Sequence, residues 1–347
     1  MLIKSKNKKI VIIGGGVGAA TVTKSLKDLP IKLTTIVSSF DDGGSTGMIR
    51  RDYGGWAVGD FRNCLLAASE ASDELKQSLN HRFGPGQLYG AQAGNLLVKA
   101  VLNTHKPFTK ANRLLHEHFK VNHMVLPISV ADSKIKAQLA NGNFLEGQNQ
   151  VANYLSFDAA PIKSIELTKP AKILPQAARA IAEADIIIFG PGHFFTSLLP
   201  HLAVSGFADA WRKTKAKKIL LLNLLAHRGQ DSYYTLADYL KWFAKELGGR
   251  PFDIIISGLP PAKKILKIVS DRFVPVQITE KDLEFLSKEN ISHLRANLAG
   301  TNLRNQSAND TIQRAPVRHD EARLKAFLTK IIEDANILIK TNETNHN

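Results

Sequence analysis

Two adjacent carboxylates, Asp41 and Asp42, follow an apolar run and lead directly into Gly43, Gly44 and Ser45. Neighbouring carboxylates repel each other unless a cation or strong hydrogen-bond donors lie beside them. Glycines let backbone N–H groups approach a ligand without interference from a Cβ atom. These residues therefore predict the rim of a phosphate-binding site, with Asp41 and Asp42 as candidate ligands of a metal ion. A solvated Asp-Gly turn after a strand is the simpler alternative.

Basic and amide side chains follow at the starts of predicted helices. Arg50 and Arg62 could offset the charge of the carboxylates, and Asp60 is expected to cap the first turn of its helix. Helix capping accounts for the presence of Asp60, but it does not account for Arg62 and Asn63 occurring together. One of these helices begins at residues 59–63, and a later one begins near Gly94 and Asn95. The ligand contacts predicted at the two helix starts are Asp60, Arg62, Asn63, Gly94 and Asn95.

A second glycine-rich segment, residues 14–18, lies upstream of the carboxylates. It joins a continuously apolar, β-branched run, residues 9–13, to a predicted helix that extends to Lys27 and stops before Pro30. Backbone N–H groups at a helix N-terminus bind phosphate, and the helix dipole favours negative charge there. The alternative is a tight turn with no ligand. The predicted contacts are Gly15, Gly16, Val17 and Gly18.

A third turn of this kind follows the apolar run 185–189. It contains Gly190, Pro191 and Gly192, and the hydroxyls of Thr196 and Ser197 fall in the first turn of the predicted helix. Asn223 closes a later apolar run, 218–224, at what would be the carboxyl end of a parallel strand. Ligands of open α/β sheets bind at that edge. We therefore include all six residues in the predicted site.

The alternation of apolar runs and helical patterns predicts an α/β fold: a Rossmann-like, doubly wound, mostly parallel sheet. Short strand-like runs between about 125 and 167 predict a small antiparallel β inset: 124–130, 135–139, 144–151 and 162–167. Predicted helices cover 175–184, 235–247 and 321–340. We expect one domain over residues 1–340 and a flexible tail over 341–347.

The chain carries a formal net charge of +15, which attracts polyanions in general. Its basic residues are scattered, so specific nucleic-acid binding is not expected. The single cysteine, Cys64, lies in an apolar run and is expected to be a small buried side chain. No apolar run has the roughly 20 residues needed to span a bilayer, and no signal peptide precedes the first strand. We therefore expect a cytoplasmic protein.

Several of these motifs, in this order, resemble the YvcK/CofD-like family over roughly residues 9 to 330. The shared motifs are GGGVG at 14–18, DDGGSTG at 41–47, GDFRN at 59–63, GN at 94–95, GPG at 190–192 with TS at 196–197, and RHD at 318–320. The resemblance implies a single Rossmann-like domain that holds a nucleotide over the strand ends. Arg50 matches the basic residue that the family places after its acidic-glycine motif.

The chain is closer to the YvcK branch, which implies a cytoplasmic UDP-sugar-binding regulatory protein needed for cell shape and for growth on gluconeogenic carbon sources. Arg318 is similar to an arginine of the nucleotide-sugar site in that branch. The transferase branch instead implies an enzyme that moves a phospholactyl group from a guanosine diphosphate-linked donor and uses a divalent metal such as Mg²⁺.

Three positions depart from the YvcK pattern: Ala91 replaces a histidine, His193 replaces a serine, and the loop 225–231 replaces the branch's usual loop. The motifs that face the diphosphate are intact, so nucleotide binding is a firmer expectation than the identity of the sugar. For His193, a ligand contact and a packing role beside two phenylalanines are equally compatible with the sequence.

Two function classes remain open from the sequence. A regulatory binding protein needs only groups that hold the phosphates, the ribose and the base. A transferase also needs an acceptor pocket and a metal, which Asp41 or Asp42 would hold. No catalytic residue can be assigned, a homo-oligomer is an open possibility, and an NAD-dependent oxidoreductase is a more distant third reading.

Overall fold

The computed structural model of the protein describes residues 7–154, 160–227, 234–269, 271–301 and 315–333. The described strands are β1 (Lys9–Gly14), β2 (Lys32–Val37), β3 (Met124–Pro127), β4 (Ile135–Leu139), β5 (Phe144–Glu146), β6 (Ile162–Leu167), β7 (Ile186–Phe189), β8 (Lys217–Leu221), β9 (Leu225–His227), β10 (Ile254–Gly258), β11 (Phe273–Pro275) and β12 (Ser292–Ala296).

The described α-helices are α1 (Gly16–Leu26), α2 (Gly44–Tyr53), α3 (Gly59–Ala68), α4 (Asp73–Asn80), α5 (Ala93–Thr104), α6 (Phe108–His118), α7 (Gln148–Asn153), α8 (Pro175–Ala182), α9 (Phe207–Lys213), α10 (Leu236–Leu247), α11 (Lys263–Val269), α12 (Glu280–Lys288) and α13 (Glu321–Glu333). A π-helical turn (Phe194–Leu198) and a 3₁₀ turn (Leu199–His201) follow β7. No described helix is long and apolar enough to cross a membrane.

Seven strands form a parallel sheet in the order β12-β10-β8-β7-β1-β2-β3. Its central strands are buried on both faces: Ile10 and Ile12 of β1 belong to one hydrophobic core, and Val11 and Ile13 belong to the other. Such strands have continuous apolar sequences, since neither face meets water. The predicted α/β fold is therefore confirmed.

Helices cover both faces of the sheet. One core receives side chains from α1, α3, α5, α6, α11 and α13. The other receives them from α8, α9, α10 and α12, and from a three-stranded antiparallel sheet in the order β5-β4-β6. That small sheet is the predicted inset, and Gly142, at φ 88°, lies in the turn between β4 and β5.

The structure differs from the sequence-based expectation at the start of this inset. Met124 of β3 pairs in parallel with Thr34 of β2, so β3 is an edge strand of the main sheet and the antiparallel sheet begins at Ile135. The predicted strand 144–151 ends at Glu146. Gly147 adopts φ 93°, which interrupts the extended chain, and α7 follows.

The predicted helix at 235–247 is present as α10, with Thr235 as its N-cap. The Thr235 hydroxyl accepts from the N–H of Asp238, and the Asp238 carboxylate accepts from Thr235 in return. This reciprocal pair satisfies N–H groups that the first helical turn leaves open. The last helix, α13, is described to Glu333, and the predicted segment 334–340 and the tail lie outside the described residues.

The strand order changes direction between β1 and β7. From β1 the chain proceeds through β2 to β3 on one side, and from β7 it proceeds through β8 and β10 to β12 on the other. Connections that leave neighbouring parallel strands in opposite directions open a crevice at their carboxyl ends. The glycine-rich turns after β1 and β7 meet at this point.

Candidate functional site

The turns after β1 and β7 are packed closely enough that several glycines are sterically required. A Cβ atom on Gly18 would overlap the carbonyl oxygen of Pro191, and one on Gly15 would lie 2.7 Å from the Ser197 hydroxyl oxygen. Gly190 adopts φ 87°, a left-handed conformation that favours glycine. Part of the glycine pattern therefore comes from contact between the two turns, and the turns together form one wall.

A cavity of about 250 Å³ lies against this wall. It is bordered by the turn after β1, the start of α3, helix α7, the turn after β7, and the segments around 223–227 and 315–319. Its described lining residues are Gly15, Gly16, Val17, Gly18, Thr21, Asp60, Gln148, Asn149, Ala152, Asn153, Pro191, Gly192, His193, Thr196, Ser197, Asn223, Leu224, Leu225, His227, Ala315, Val317, Arg318 and His319.

The cavity brings together predicted residues from five separate segments. They are Gly15, Gly16, Val17, Gly18, Asp60, Pro191, Gly192, Thr196, Ser197, Asn223 and Arg318. The other predicted residues do not line it. They are Asp41, Asp42, Gly43, Gly44, Ser45, Arg50, Arg62, Asn63, Gly94, Asn95 and Gly190.

The two adjacent carboxylates hold the backbone around them. Asp41 is buried, and its Oδ1 accepts from the N–H of Gly43 at 2.9 Å. Asp42 Oδ1 accepts from the N–H of Asn149 at 3.2 Å, and a Cβ atom on Gly147 would overlap the Asp42 carboxylate. Because Asn149 lines the cavity, Asp42 contributes to its shape by holding the start of α7.

Arg50 crosses from α2 to the loop after β3. It donates to the carbonyl oxygens of Asp41 at 3.0 Å and Ser133 at 2.8 Å, and to the carboxylate of Asp132 at 2.8 Å. Burial raises the pKa of Asp132, but hydrogen bonding and charge from Arg50 outweigh this effect, and the pKa lies below its ordinary value. The guanidinium thus fixes the backbone that carries the carboxylates.

Arg62 lies in an interior polar network. Only 2% of the residue is exposed, and it donates to Asn95 Oδ1 at 3.1 Å, to Asn80 Oδ1 at 2.6 Å and to Gln92 Oε1. Ser45 Oγ accepts from Asn95 Nδ2 at 3.1 Å. These bonds connect α2, α3, α4 and α5, so Arg62 and Asn95 stabilise the elements behind the cavity.

The family is identified by comparison with known proteins. The sequence profile of the family 2-phospho-L-lactate transferase CofD matches residues 10–299. The chain belongs to this family. Among its relatives, the gluconeogenesis factor of Bacillus subtilis is 34% identical over 251 residues, which cover 72% of this chain and 78% of the relative. The gluconeogenesis factor of Halalkalibacterium halodurans is 32% identical over 291 residues, covering 83% and 89%.

A crystal structure of a UPF0052 family member from Bacillus halodurans has the same fold as this CofD family chain. The TM-score is 0.82, the sequences are 27% identical, and the match covers 95% of this chain and 99% of that one. The resemblance to the YvcK/CofD-like family is therefore confirmed by sequence and by fold.

Sequence reasoning missed several polar residues of the cavity. Asn149 and Asn153 lie on α7, and residues 148–151 of this helix were predicted as part of a strand. His193, for which a ligand contact was one of the two readings of the sequence, also lines the cavity, and its ring centroid lies 5.7 Å from that of His227. His319 also lines it, and the only available signal was its place beside Arg318 in the RHD motif. The altered loop contributes Leu225 and His227, while 228–231 lie outside the described residues.

The transferase branch of the CofD family implies a divalent metal. No group of three His, Cys, Asp or Glu side chains within the described ranges could hold a metal ion. One oxygen of Asp41 and one of Asp42 already accept backbone N–H groups. Mg²⁺ is commonly held by one or two carboxylates together with substrate phosphates and water. Asp41 and Asp42 supply oxygen donors of that kind, but neither lines the cavity, and they do not form a closed all-protein site.

A second cavity, of about 390 Å³, adjoins the first, and both are lined by Gly192 and Asn223. Asn223 Nδ2 donates to the Gly192 carbonyl at 2.8 Å, which fixes the boundary between them. The wall of the second cavity includes Phe194 and Tyr239, whose rings stack at 3.8 Å between centroids. This second cavity is mainly apolar and aromatic.

Proposed function

We propose that the protein binds a nucleoside diphosphate derivative, specifically a UDP-sugar, in the 250 Å³ cavity. One observation carries the proposal: the glycine-rich turns after β1 and β7 form a common wall, and Arg318 lines the same cavity. Among the described lining residues, Arg318 is the one lysine or arginine. A guanidinium forms paired hydrogen bonds to phosphate oxygens and complements N–H groups at a helix N-terminus.

The other lining groups support a phosphorylated sugar ligand. Helix α1 begins at Gly16, so its N-terminus faces the cavity, and Thr196 and Ser197 add hydroxyls. Asn149, Asn153 and Asn223 offer amides that can bond to sugar or base. The Asp60 carboxylate would repel phosphate, which suits it to a ribose or sugar hydroxyl.

We assign the protein a regulatory role in gluconeogenic growth and in cell shape. The relatives named gluconeogenesis factors support the first part of this assignment. Expression of the chain in a Bacillus subtilis strain that lacks its own gluconeogenesis factor should restore growth on gluconeogenic carbon sources and normal cell shape. Failure to restore either, at normal expression levels, would contradict the role.

A phospholactyl-type transferase is the second candidate, because the matching profile is that of a 2-phospho-L-lactate transferase. In that case Asp41 and Asp42 would hold Mg²⁺, which would neutralise phosphate charge when bound. The second cavity, next to the diphosphate site, would be available to an acceptor. Release of guanosine monophosphate, as the phospholactyl group moves from a lactyl-linked guanosine diphosphate donor to an acceptor hydroxyl, would favour this candidate.

Calorimetric titration separates nucleotide-sugar binding from the dehydrogenase reading. The protein should bind UDP-glucose or another UDP-sugar and should show no comparable heat with NAD. Tight NAD binding without a response to UDP- or GDP-linked ligands would overturn the proposal.

A further inference from the structure

His319 is a buried histidine at the edge of the proposed ligand. It follows Arg318 directly, lines the same cavity and is 6% exposed. Its backbone is fixed from both sides, since Gly300 N–H donates to the Arg318 carbonyl at 2.9 Å and Asp320 N–H donates to the Leu298 carbonyl at 2.8 Å. The backbone on both sides of the imidazole is therefore held in place before any ligand binds.

The hydrogen bonds of the ring define its tautomer. Hydrogen bonding with the backbone carbonyl of Leu222 acts to raise the pKa of His319. The Nε2 atom of the ring has no hydrogen-bond partner among the described residues. The bond to Leu222 must therefore come from Nδ1–H. In neutral imidazole, a proton on Nδ1 leaves a lone pair on Nε2, which is then an acceptor only.

The ring is also neutral under ordinary conditions. Burial lowers the pKa of His319 to about 4, and the hydrogen bond to Leu222 opposes that effect only in part. A neutral acceptor gives no electrostatic attraction to phosphate, whose oxygens are themselves acceptors. A hydroxyl or N–H group of the ligand is the partner that satisfies Nε2.

Burial alone does not make this histidine unusual, as His201 shows. His201 is also fully buried, its Nδ1 contacts the Leu198 carbonyl at 3.2 Å, and its Nε2 has no partner among the described residues. It packs against Phe189 and Phe207 in the hydrophobic core and does not line the cavity. Both Nε2 atoms are buried from solvent, and the two histidines differ in that His319 lines the cavity whereas His201 does not.

We propose that His319 is a specificity-determining residue whose Nε2 accepts a hydrogen bond from a ligand hydroxyl next to the phosphate that Arg318 binds. The inference rests on the proposed nucleotide-sugar function and deepens it. Arg318 would recognise the diphosphate by charge, and His319 would reject ligands that place an acceptor, such as a further phosphate oxygen, at the hydroxyl position. Adjacent residues would then read two different features of one ligand.

Calorimetric titration of variants with three probes tests this assignment. His319→Phe removes the acceptor, whereas His319→Gln keeps one at a similar reach. The Phe variant should bind UDP-glucose at least fivefold more weakly than the parent does, whether or not its binding of UDP weakens too. The Gln variant should recover most of the lost affinity. Inorganic pyrophosphate, which has no alcohol hydroxyl, should bind the parent and both variants equally.

Matched variants of His201 control for the loss of a buried imidazole. His201→Phe and His201→Gln should leave the affinity for all three probes unchanged. Equal weakening of pyrophosphate binding in the His319 variants would mean that the residue acts by positioning Arg318, and would overturn the inference. Unchanged UDP-glucose and UDP binding in His319→Phe would overturn it as well, with the proposed function intact. A parent protein that binds none of these probes would overturn both.

A spectroscopic signature distinguishes acceptance of a hydrogen bond from a structural role. The ¹⁵N resonance of His319 Nε2, assigned by comparison with the variants, should move to lower frequency when UDP-glucose is added. The Nε2 resonance of His201 should stay in place. An unchanged His319 resonance at saturating UDP-glucose would contradict the proposal.

Discussion

Arg318 is the residue whose charge most directly supports the phosphate site. A surface ion pair with the neighbouring Asp320 or Glu321 is the simpler alternative role for this arginine. In the structure Asp320 Oδ1 accepts from the N–H of Arg323 at 2.9 Å, and Glu321 pairs with Lys24 at 2.7 Å. Arg318 itself lines the cavity, which is the position that a phosphate contact requires.

We expect Arg318→Ala to weaken UDP-sugar binding at least tenfold, which is about 1.4 kcal/mol. Arg318→Lys should restore the affinity only in part, because an ammonium cannot reproduce the paired bonds of a guanidinium. Arg295, which is exposed on β12, provides the control: Arg295→Ala removes the same charge away from the cavity. Parent-like binding by both Arg318 variants in a calorimetric titration would remove this residue from the site.

Asp42 is predicted to act on binding rather than on stability. Asn at this position keeps an oxygen that can accept the N–H of Asn149 but removes the negative charge. Asp42→Asn should therefore leave the Tm of the ligand-free protein almost unchanged and weaken UDP-sugar binding in the presence of Mg²⁺. Asp73→Asn, at a side chain that is 99% exposed, is the control. Identical binding isotherms across a Mg²⁺ titration would count against the role of Asp42.

At the scale of elements, substitution of Arg62 should change the stability of the protein, whereas substitution of Asp42 should change ligand binding. Its guanidinium satisfies side chains on α4 and α5 and on the residue before α5, so truncation leaves several buried polar groups without partners. Arg62→Ala should lower the free energy of unfolding by about 3 kcal/mol. Urea denaturation measures this change. A loss below the error of the fit would show that the network is not a stabilising one.

The local sequence predicted the elements that have a single strong pattern. β4 and β6 have the predicted bounds, and in β4 the buried residues Ile135, Ala137 and Leu139 alternate with half-buried ones. Residues 148–151 of α7 were assigned to a strand because a six-residue helix has too few turns to show a helical period. β12 was not predicted, since it is an edge strand with the polar sequence SHLRA.

The parts of the candidate site that depend on local sequence could be predicted, and the parts that depend on distant contacts could not. Turns between a strand and a helix are local, and those after β1 and β7 were recognised from their glycines. The placement of Arg50 and Arg62 depends on distant residues: Arg50 contacts Asp132, and Arg62 contacts Asn95. No local pattern could show whether these guanidinium groups face a ligand or the protein.

For the whole molecule, buried histidines make stability depend on pH. Burial lowers the pKa of both His201 and His319 to about 4, and it also lowers the pKa values of His116 and His293. An unfolded histidine takes up a proton near pH 6.5, whereas the folded one does not. The unfolded state therefore binds more protons between about pH 6.5 and 4, and stability falls as the pH drops through that window.

Each of His201 and His319 should reduce the free energy of unfolding by roughly 1.4 kcal/mol per pH unit below 6.5. Urea denaturation at pH 7, 6 and 5 measures this slope. His201→Phe removes one titrating group and should make the slope shallower by about that amount. The same unfolding free energy at pH 7 and pH 5 would mean that these rings are not neutral in the folded protein.

The central claim is the position of the diphosphate, and a crystal structure with bound UDP-sugar tests it most directly. We predict electron density for two phosphate groups between the turn at 14–18 and the turn at 190–197, with a phosphate oxygen within hydrogen-bond distance of the Arg318 guanidinium. Diphosphate density elsewhere on the protein, with this cavity holding only water, would contradict the account.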